Sequence, residues 1–388
     1  MAMSINRAVL AALILGVSVV GLCIGATVPV VALRLYQAGA SSVQIGLMSA
    51  LPAAGMMLSA FMVDWVCQRL SRRQIYLWCF AVSALSIAAL QLPGQGLLGL
   101  GVARLVMGVA AGLIIILGES WVNEVALDAH RGRTVAVYTT CFTVFQLFGP
   151  AMVALFGTEG VEVIASVLAC HVVAFAVIWR ILPHTPLSGA HTQSKSFSVL
   201  GFIRVAPALC MGIVFFSFFD SVILSMFPVY AAGHGYVIKV AALMVTVILL
   251  GDAAFQFPLG WLSDKVDRPT IYLAYGVIAL AIGLGLPWLM DYPLLLWPSL
   301  VILGAVAGGI YTLAIILIGQ GFKGADLVTA NASAGFLWGV GSLLGPLVSG
   351  AAMATSVNGL PLALCTAAVL FVWLALGLLR REVAVAAG

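Results

Sequence analysis

Only 8% of the 388 residues carry a charged side chain and 63% are hydrophobic, where a water-soluble chain carries about 25% charge. With a mean hydropathy of +1.18, that balance excludes an aqueous multidomain protein and assigns the chain to a lipid bilayer. The formal net charge of +4 then reads as a signal of membrane topology and not as the footprint of a nucleic-acid partner.

Apolar stretches of about 20 residues, the length that crosses a ~30 Å hydrocarbon core as a helix, recur along the whole chain. In order they are 8–33, 43–65, 75–92, 97–120, 134–156, 161–182, 203–231, 239–262, 270–290, 294–320, 327–354 and 360–379, twelve predicted spans. The first follows a lone Arg7 but is too long for a secretory signal peptide and leads into eleven more, so it is expected to stay uncleaved. The stretches are apolar on all sides and do not alternate every second residue, which excludes a β-barrel and predicts an all-α membrane protein.

Lys and Arg set the orientation. With both termini cytoplasmic, fourteen of the seventeen basic residues fall on the inner side, Arg34 and Lys239 lie outside, and Arg104 lies within a span. That asymmetry predicts an even number of helices. The seven cysteines are scattered without paired spacing and read as small, free, apolar residues.

Shifted by 196 positions, the sequence matches itself: "QRLSRRQIYL" at 68–77 falls on "DKVDRPTIYL" at 264–273 so that Arg72 meets Arg268, and "IYL" meets "IYL". At the same shift Gly108 and Gly112 meet Gly304 and Gly308, and Gly149-Pro150 meets Gly345-Pro346. This predicts a duplicated six-helix unit, with bundles at 1–182 and 201–388 and a polar cytoplasmic linker at 183–200.

Twelve spans in two similar halves, with a charged loop between helices 2 and 3 of a half, resemble the major facilitator superfamily over essentially the whole chain. In the second half the family's loop pattern is met by Gly260, Asp264, Lys265 and Arg268, with Asp267 where a second glycine is usual. In the first half Asp64, Gln68 and Ser71 replace the usual Gly, Asp and Gly, while Arg69, Arg72 and Arg73 remain. "ARLVMGVAAG" matches the family's fourth helix, and "NEVALDAHRGR" resembles its acid-to-Arg-Gly arrangement at Glu124, Arg131 and Gly132, with Arg133 beside them. The overall character is similar to small bacterial drug and metabolite transporters, YcaD-like members among them.

The resemblance implies solute transport by alternating access across the cytoplasmic membrane of a bacterium. A small-molecule substrate, the bilayer and a proton as coupling ion are the expected partners, with no cofactor and no metal, and the chain is expected to act as a monomer. It also implies that the charges at Arg69, Arg72, Arg73, Glu124, Arg131, Arg133, Asp264, Lys265 and Arg268 latch the cytoplasmic side. Exposed ion pairs, each worth about 0–1 kcal/mol, can bias such an equilibrium without locking it. The plainer alternative is that these residues only set topology and keep the turns soluble.

Charges inside the hydrocarbon cost at least ~2.5–3.5 kcal/mol each and point to a site. Arg104 and Glu119 recur along one side of helix 4. Asp252, nine residues before Trp261, is expected near mid-membrane, with Gln256 one turn on, and is the first candidate for a proton carrier. The alternative is a permanently protonated Asp252 bonded to a neighbouring helix. Asp220 stands among Phe215, Phe216, Phe218 and Phe219, aromatics that suit a cationic or amphipathic ligand and equally suit lipid. His171 joins a proton relay or bridges two helices as a neutral ring. No "GxxxxGK[ST]", "HExxH" or "GxSxG" pattern occurs, which argues against an enzyme and against ATP-driven transport. Proton-coupled export by antiport is expected ahead of uptake by symport; a non-transporting sensor on the same fold is the reading from another class.

Overall fold

The computed structural model describes the chain except residues 1, 93, 95, 126–130, 184–198, 264 and 387–388. Among the described residues there are thirteen helices and no strand: α1 (Ala2–Gln37), α2 (Ser42–Cys67), α3 (Arg72–Ala89), α4 (Leu97–Val125), α5 (Arg131–Phe156), α6 (Glu162–Ile181), α7 (Val199–Val205), α8 (Pro207–Gly233), α9 (Ile238–Ser263), α10 (Arg268–Leu289), α11 (Pro293–Gly321), α12 (Gly324–Thr355) and α13 (Gly359–Ala386). Eleven of them are long and apolar enough to cross a membrane. The sequence predicts twelve; its third stretch forms α3, which opens on Arg72, Arg73 and Gln74 and falls below the other spans in apolarity. Its counterpart after the repeat, α10, is among the eleven.

The duplication is written in the helix boundaries. Displaced by 196 residues, α2 falls on α9 and α4 on α11 at both ends, α3 and α10 share a start, and α1 and α8 share an end. Packing repeats as well. A side chain at Gly108 would overlap the Pro52 carbonyl and one at Gly304 the Ile248 carbonyl, again 196 residues apart, so the same close helix pair is built twice. Even the caps correspond. Ser71 caps α3 in a reciprocal box with Gln74, and Asp267 caps α10, its Oδ2 accepting from the Thr270 amide at 3.1 Å.

By compactness the chain divides into one unit of Met1–Ala38 and Leu51–His191 and another of Gly39–Ala50 and Thr192–Gly388. The opening turns of α2 thus pack within the second unit, where Gly46 lies against Pro346 and Gly350 of α12. Of the polar stretch read as a linker, residues 184–198 lie outside the described residues, and α7 begins at Val199.

In the first unit α1 is the central post, packed on α4, α5 and α6. Arg34, near its end, ties three segments together: Nε donates to the Thr158 carbonyl at 2.7 Å, Nη1 to Gln91 Oε1 at 3.0 Å and Nη2 to the Gly160 carbonyl at 3.0 Å. In the second unit α8 takes the matching place, packed on α11, α12 and α13.

Candidate functional site

Asp252 sits mid-way along α9 and is 5% exposed. The fold puts it there because α9 and α11 approach backbone to backbone at Gly304. Its carboxylate fills the volume where a side chain at Gly308 would stand, and the Gln256 amide donates from one turn on, Nε2 to Oδ1 at 3.3 Å. An acid braced by an amide and pressed on a glycine of the neighbouring helix can hold or release a proton without repacking. The sequence expectation that Gln256 shares the Asp252 face is what the structure shows. The glycine pocket was not legible, because the partner of Gly308 across the helix pair cannot be read from one strand of sequence.

Asp220 is partly open on α8. The four phenylalanines around it in sequence separate in space. Phe215 stacks on Phe219 and on Phe371 of α13 within the packing, whereas Phe216 turns to Tyr311 and Trp338.

In the first unit Arg104 and Glu119 stand in different surroundings. Arg104 is fully enclosed, 0% exposed, and its Nη1 donates to the Thr27 carbonyl of α1 at 3.3 Å. Glu119, near the other end of α4, is exposed. His171 is 1% exposed between α6 and α3. Its Nδ1 lies 2.9 Å from the Val167 carbonyl, which can only accept, so that nitrogen carries the hydrogen and Nε2 faces Ser83 Oγ at 3.2 Å. The ring also packs on Phe80, centroids 5.7 Å apart.

The loop charges form distinct contacts. Arg72 grips Glu124 with two bonds, Nη1 to Oε2 at 2.5 Å and Nη2 to Oε1 at 2.6 Å, and its guanidinium lies over Trp121 at 5.6 Å. Such a fork gives direction as well as charge. Arg73 donates to the Trp179 carbonyl of α6, and Arg69 covers Trp65 at 4.1 Å. In the second unit Lys265 is exposed and Arg268 partly buried. Asp264 lies outside the described residues, as do the side chains of Arg131 and Arg133 and the surroundings of Gly260. Asp267, unusual for the family loop, has a local use as the α10 cap. Among the described residues no cluster of three His, Cys, Asp or Glu gathers as a metal site, and all seven cysteines are free.

Two related bundles of membrane-length helices, with ionisable groups buried in their interiors, define a polytopic membrane protein of transporter type. The sequence profile of the Major Facilitator Superfamily matches residues 13–242 and 209–387, and the chain belongs to that family, whose members are transporters and not enzymes. It is 26% identical over 376 residues to the uncharacterized MFS-type transporter YfkF of Bacillus subtilis (strain 168), covering 94% of this chain and 93% of YfkF. It is also 26% identical over 386 residues to the uncharacterized MFS-type transporter YcaD of Shigella flexneri, covering 95% and 94%.

Solved structures with the same fold include a point mutant of the nucleoside transporter NupG, at a TM-score of 0.75 and 13% identity, covering 96% of this chain and 99% of that one. A D-xylose-proton symporter aligns at a TM-score of 0.74 and 17% identity, covering 95% and 96%. A bacterial homolog of the human lysosomal transporter Spinster aligns at 0.71 and 15%, covering 96% and 95%.

Proposed function

We propose that this protein is a proton-coupled secondary transporter that moves a small organic solute across the cytoplasmic membrane of a bacterium by alternating access, working as a monomer with both termini cytoplasmic. The observation that carries the coupling is the setting of Asp252: enclosed, bonded by Gln256 and lodged against Gly308. An enclosed carboxylate is costly in its charged form, and taking up a proton removes that cost. Binding and loss of one proton therefore has a large differential effect on any rearrangement that changes the water access of α9. One charge moved through 100 mV supplies about 2.3 kcal/mol, and a pH difference adds to it.

Export by antiport is the direction we assign: the Gly149-Pro150 pair within α5 resembles the Gly-Pro signature of proton-driven exporters in the family, without the glycines that precede it there. The pair of Arg72 with Glu124 biases the inner side of the cycle as a reversible contact, and we assign Lys265 and Arg268 the corresponding role in the other half. The Spinster homolog and the sugar symporter share the fold; the relatives YfkF and YcaD carry the transporter name over nearly full length.

The test is a thermal-shift screen of small organic solutes on the purified protein, followed by flux into proteoliposomes holding a pH-sensitive dye. Each solute that shifts melting should move protons in the opposite direction to itself. Asp252→Asn should abolish gradient-driven accumulation and leave solute exchange intact. Co-directional proton movement reverses the direction to symport. Absence of flux with a solute that binds would replace transport by a sensor role.

A further inference from the structure

Three rings from three helices meet in the second unit. Phe216 of α8 stacks on Tyr311 of α11, centroids 5.2 Å apart and planes at 23°. Trp338 of α12 stands edge-on to both, 5.4 Å from Phe216 and 5.0 Å from Tyr311. This trio differs from the neighbouring group of Phe215, Phe371 and Tyr272, whose rings are sealed at 2%, 0% and 0% exposure and spend their faces on one another. Tyr311 and Trp338 are partly open, while Phe216, 7% exposed and stacked on Tyr311, backs them from within the packing.

The open side of the trio is polar. Asp220 follows Phe216 by four residues, one helical turn along the same side of α8, and is also partly open. A charged carboxylate facing lipid near a helix centre costs at least ~2.5–3.5 kcal/mol, which favours water over lipid on this side of α8. On α12, Asn331, Gly335 and Trp338 recur at helical spacing; Asn331 is exposed, and a side-chain carbon added at Gly335 would meet no atom within 4 Å. The space beside Gly335, one turn before Trp338 on α12, is therefore open.

We propose that Tyr311 and Trp338, backed by the buried Phe216, form a stacking platform for a planar aromatic cation, with Asp220 as its counter-charge. The chemistry selects that class. Ring faces favour flat π-systems in offset or edge-on contact and attract cations through their quadrupoles, and Asp220 rejects anions. An aliphatic cation would gain the charge and cation–π contacts without the stacking, and a neutral ring the stacking without the charge. The proposal names the solute class of the transporter reading above and rests on it for physiological meaning, but binding itself needs no gradient.

The experiment is ethidium binding to the full-length protein in detergent, followed by fluorescence anisotropy, with tetrapropylammonium as aliphatic competitor. Wild type should bind ethidium saturably, and tetrapropylammonium at the same concentration should not displace it. Trp338→Leu and Asp220→Asn should each weaken binding about tenfold, or ~1.4 kcal/mol, and Trp338→Phe threefold or less. Trp288→Leu, which removes an exposed indole elsewhere in the unit, should change nothing. Tyr311→Leu repeats the test should Trp338→Leu melt early. Wild-type affinity in well-folded Trp338→Leu or Tyr311→Leu, or equal displacement by tetrapropylammonium, overturns the proposal. Ethidium binding without flux of any solute rejects the transporter reading and leaves the platform standing. Gradient-driven flux of aliphatic solutes with no ethidium binding does the reverse.

Discussion

The Asp252 carboxylate occupies the place of the side chain that Gly308 lacks, and its Oδ1 takes the Gln256 amide at 3.3 Å on the other flank. Gly308→Ala puts a methyl on that oxygen, and the acid must turn away from the α9–α11 contact. The first expected outcome is a loss of gradient-driven flux comparable with that of Asp252→Asn, with stability lowered by no more than an overpacked core substitution lowers it, about 1–3 kcal/mol. Gly304→Ala meets backbone instead, the Ile248 carbonyl. It should cost more stability than Gly308→Ala, measured by melts of the two proteins side by side.

Arg72 and Glu124 form an ion pair, with Arg72 6% and Glu124 50% exposed at the side chain. The two halves differ here, for Gln320 stands 196 residues beyond Glu124. Glu124→Gln removes the charge and one of the two acceptors opposite an enclosed guanidinium, which keeps at most one bond to the amide oxygen and its place over Trp121. A cost of about 1–3 kcal/mol is expected, below that of breaking a fully buried pair because one partner meets solvent. Arg72→Gln, leaving the more exposed acid, should cost less than Glu124→Gln once the lost cation–π contact is allowed for, and the double variant should recover part of the loss. Denaturation of the three variants in detergent measures this; additive losses would show the pair to be energetically idle.

Much of this was legible because lipid imposes it. A helix that must span about 30 Å of hydrocarbon shows as an apolar run, and a duplication that preserves helix pairing preserves boundaries, so the 196-residue shift seen in "IYL" and Gly-Pro reappears in α2 with α9 and α4 with α11. Side-chain direction was not legible. Arg104 and Glu119 sit on one helix at a spacing that allows a common face, yet one is enclosed against α1 and the other open. In so apolar a chain, no hydrophobic period separates a lipid face from a packed face. The phenylalanines beside Asp220 divide for the same reason, Phe215 into the packing and Phe216 toward Tyr311 and Trp338. Arg34 was counted only as an outer charge; its three acceptors lie 57, 124 and 126 residues away and leave no local mark.

Ser71 and Asp267 hold equivalent caps, and their removal should be equally local. Ser71→Ala and Asp267→Ala are each expected to destabilise by about 0.5–2 kcal/mol, while Asp267→Asn, which keeps an acceptor for the Thr270 amide, should cost a few tenths. If Asp267 acted instead through its charge in a latch, Asn would behave as Ala does. Melting temperatures of the three variants distinguish the two, and flux at fixed protein content shows whether a cap alone alters the cycle.

Tyr236, in the short connection between α8 and α9, donates its hydroxyl to the Met290 carbonyl at 2.7 Å. Burial, and then the nearby Asp291 carboxylate, raise its pKa above the ordinary phenol value of 10.0. Only the protonated phenol can donate to a carbonyl, so the folded state retains a proton that the unfolded chain gives up near pH 10. The contribution is therefore whole below that pH and declines as pH climbs through the folded pKa, the sign expected for a raised group. Tyr236→Phe should lose about 0.5–1.5 kcal/mol at neutral pH, and the gap from wild type should narrow above pH 10. Melts of both proteins from pH 7 to about pH 11 measure it, and a gap that stays constant or widens with pH would show that the hydroxyl bond does not hold this connection.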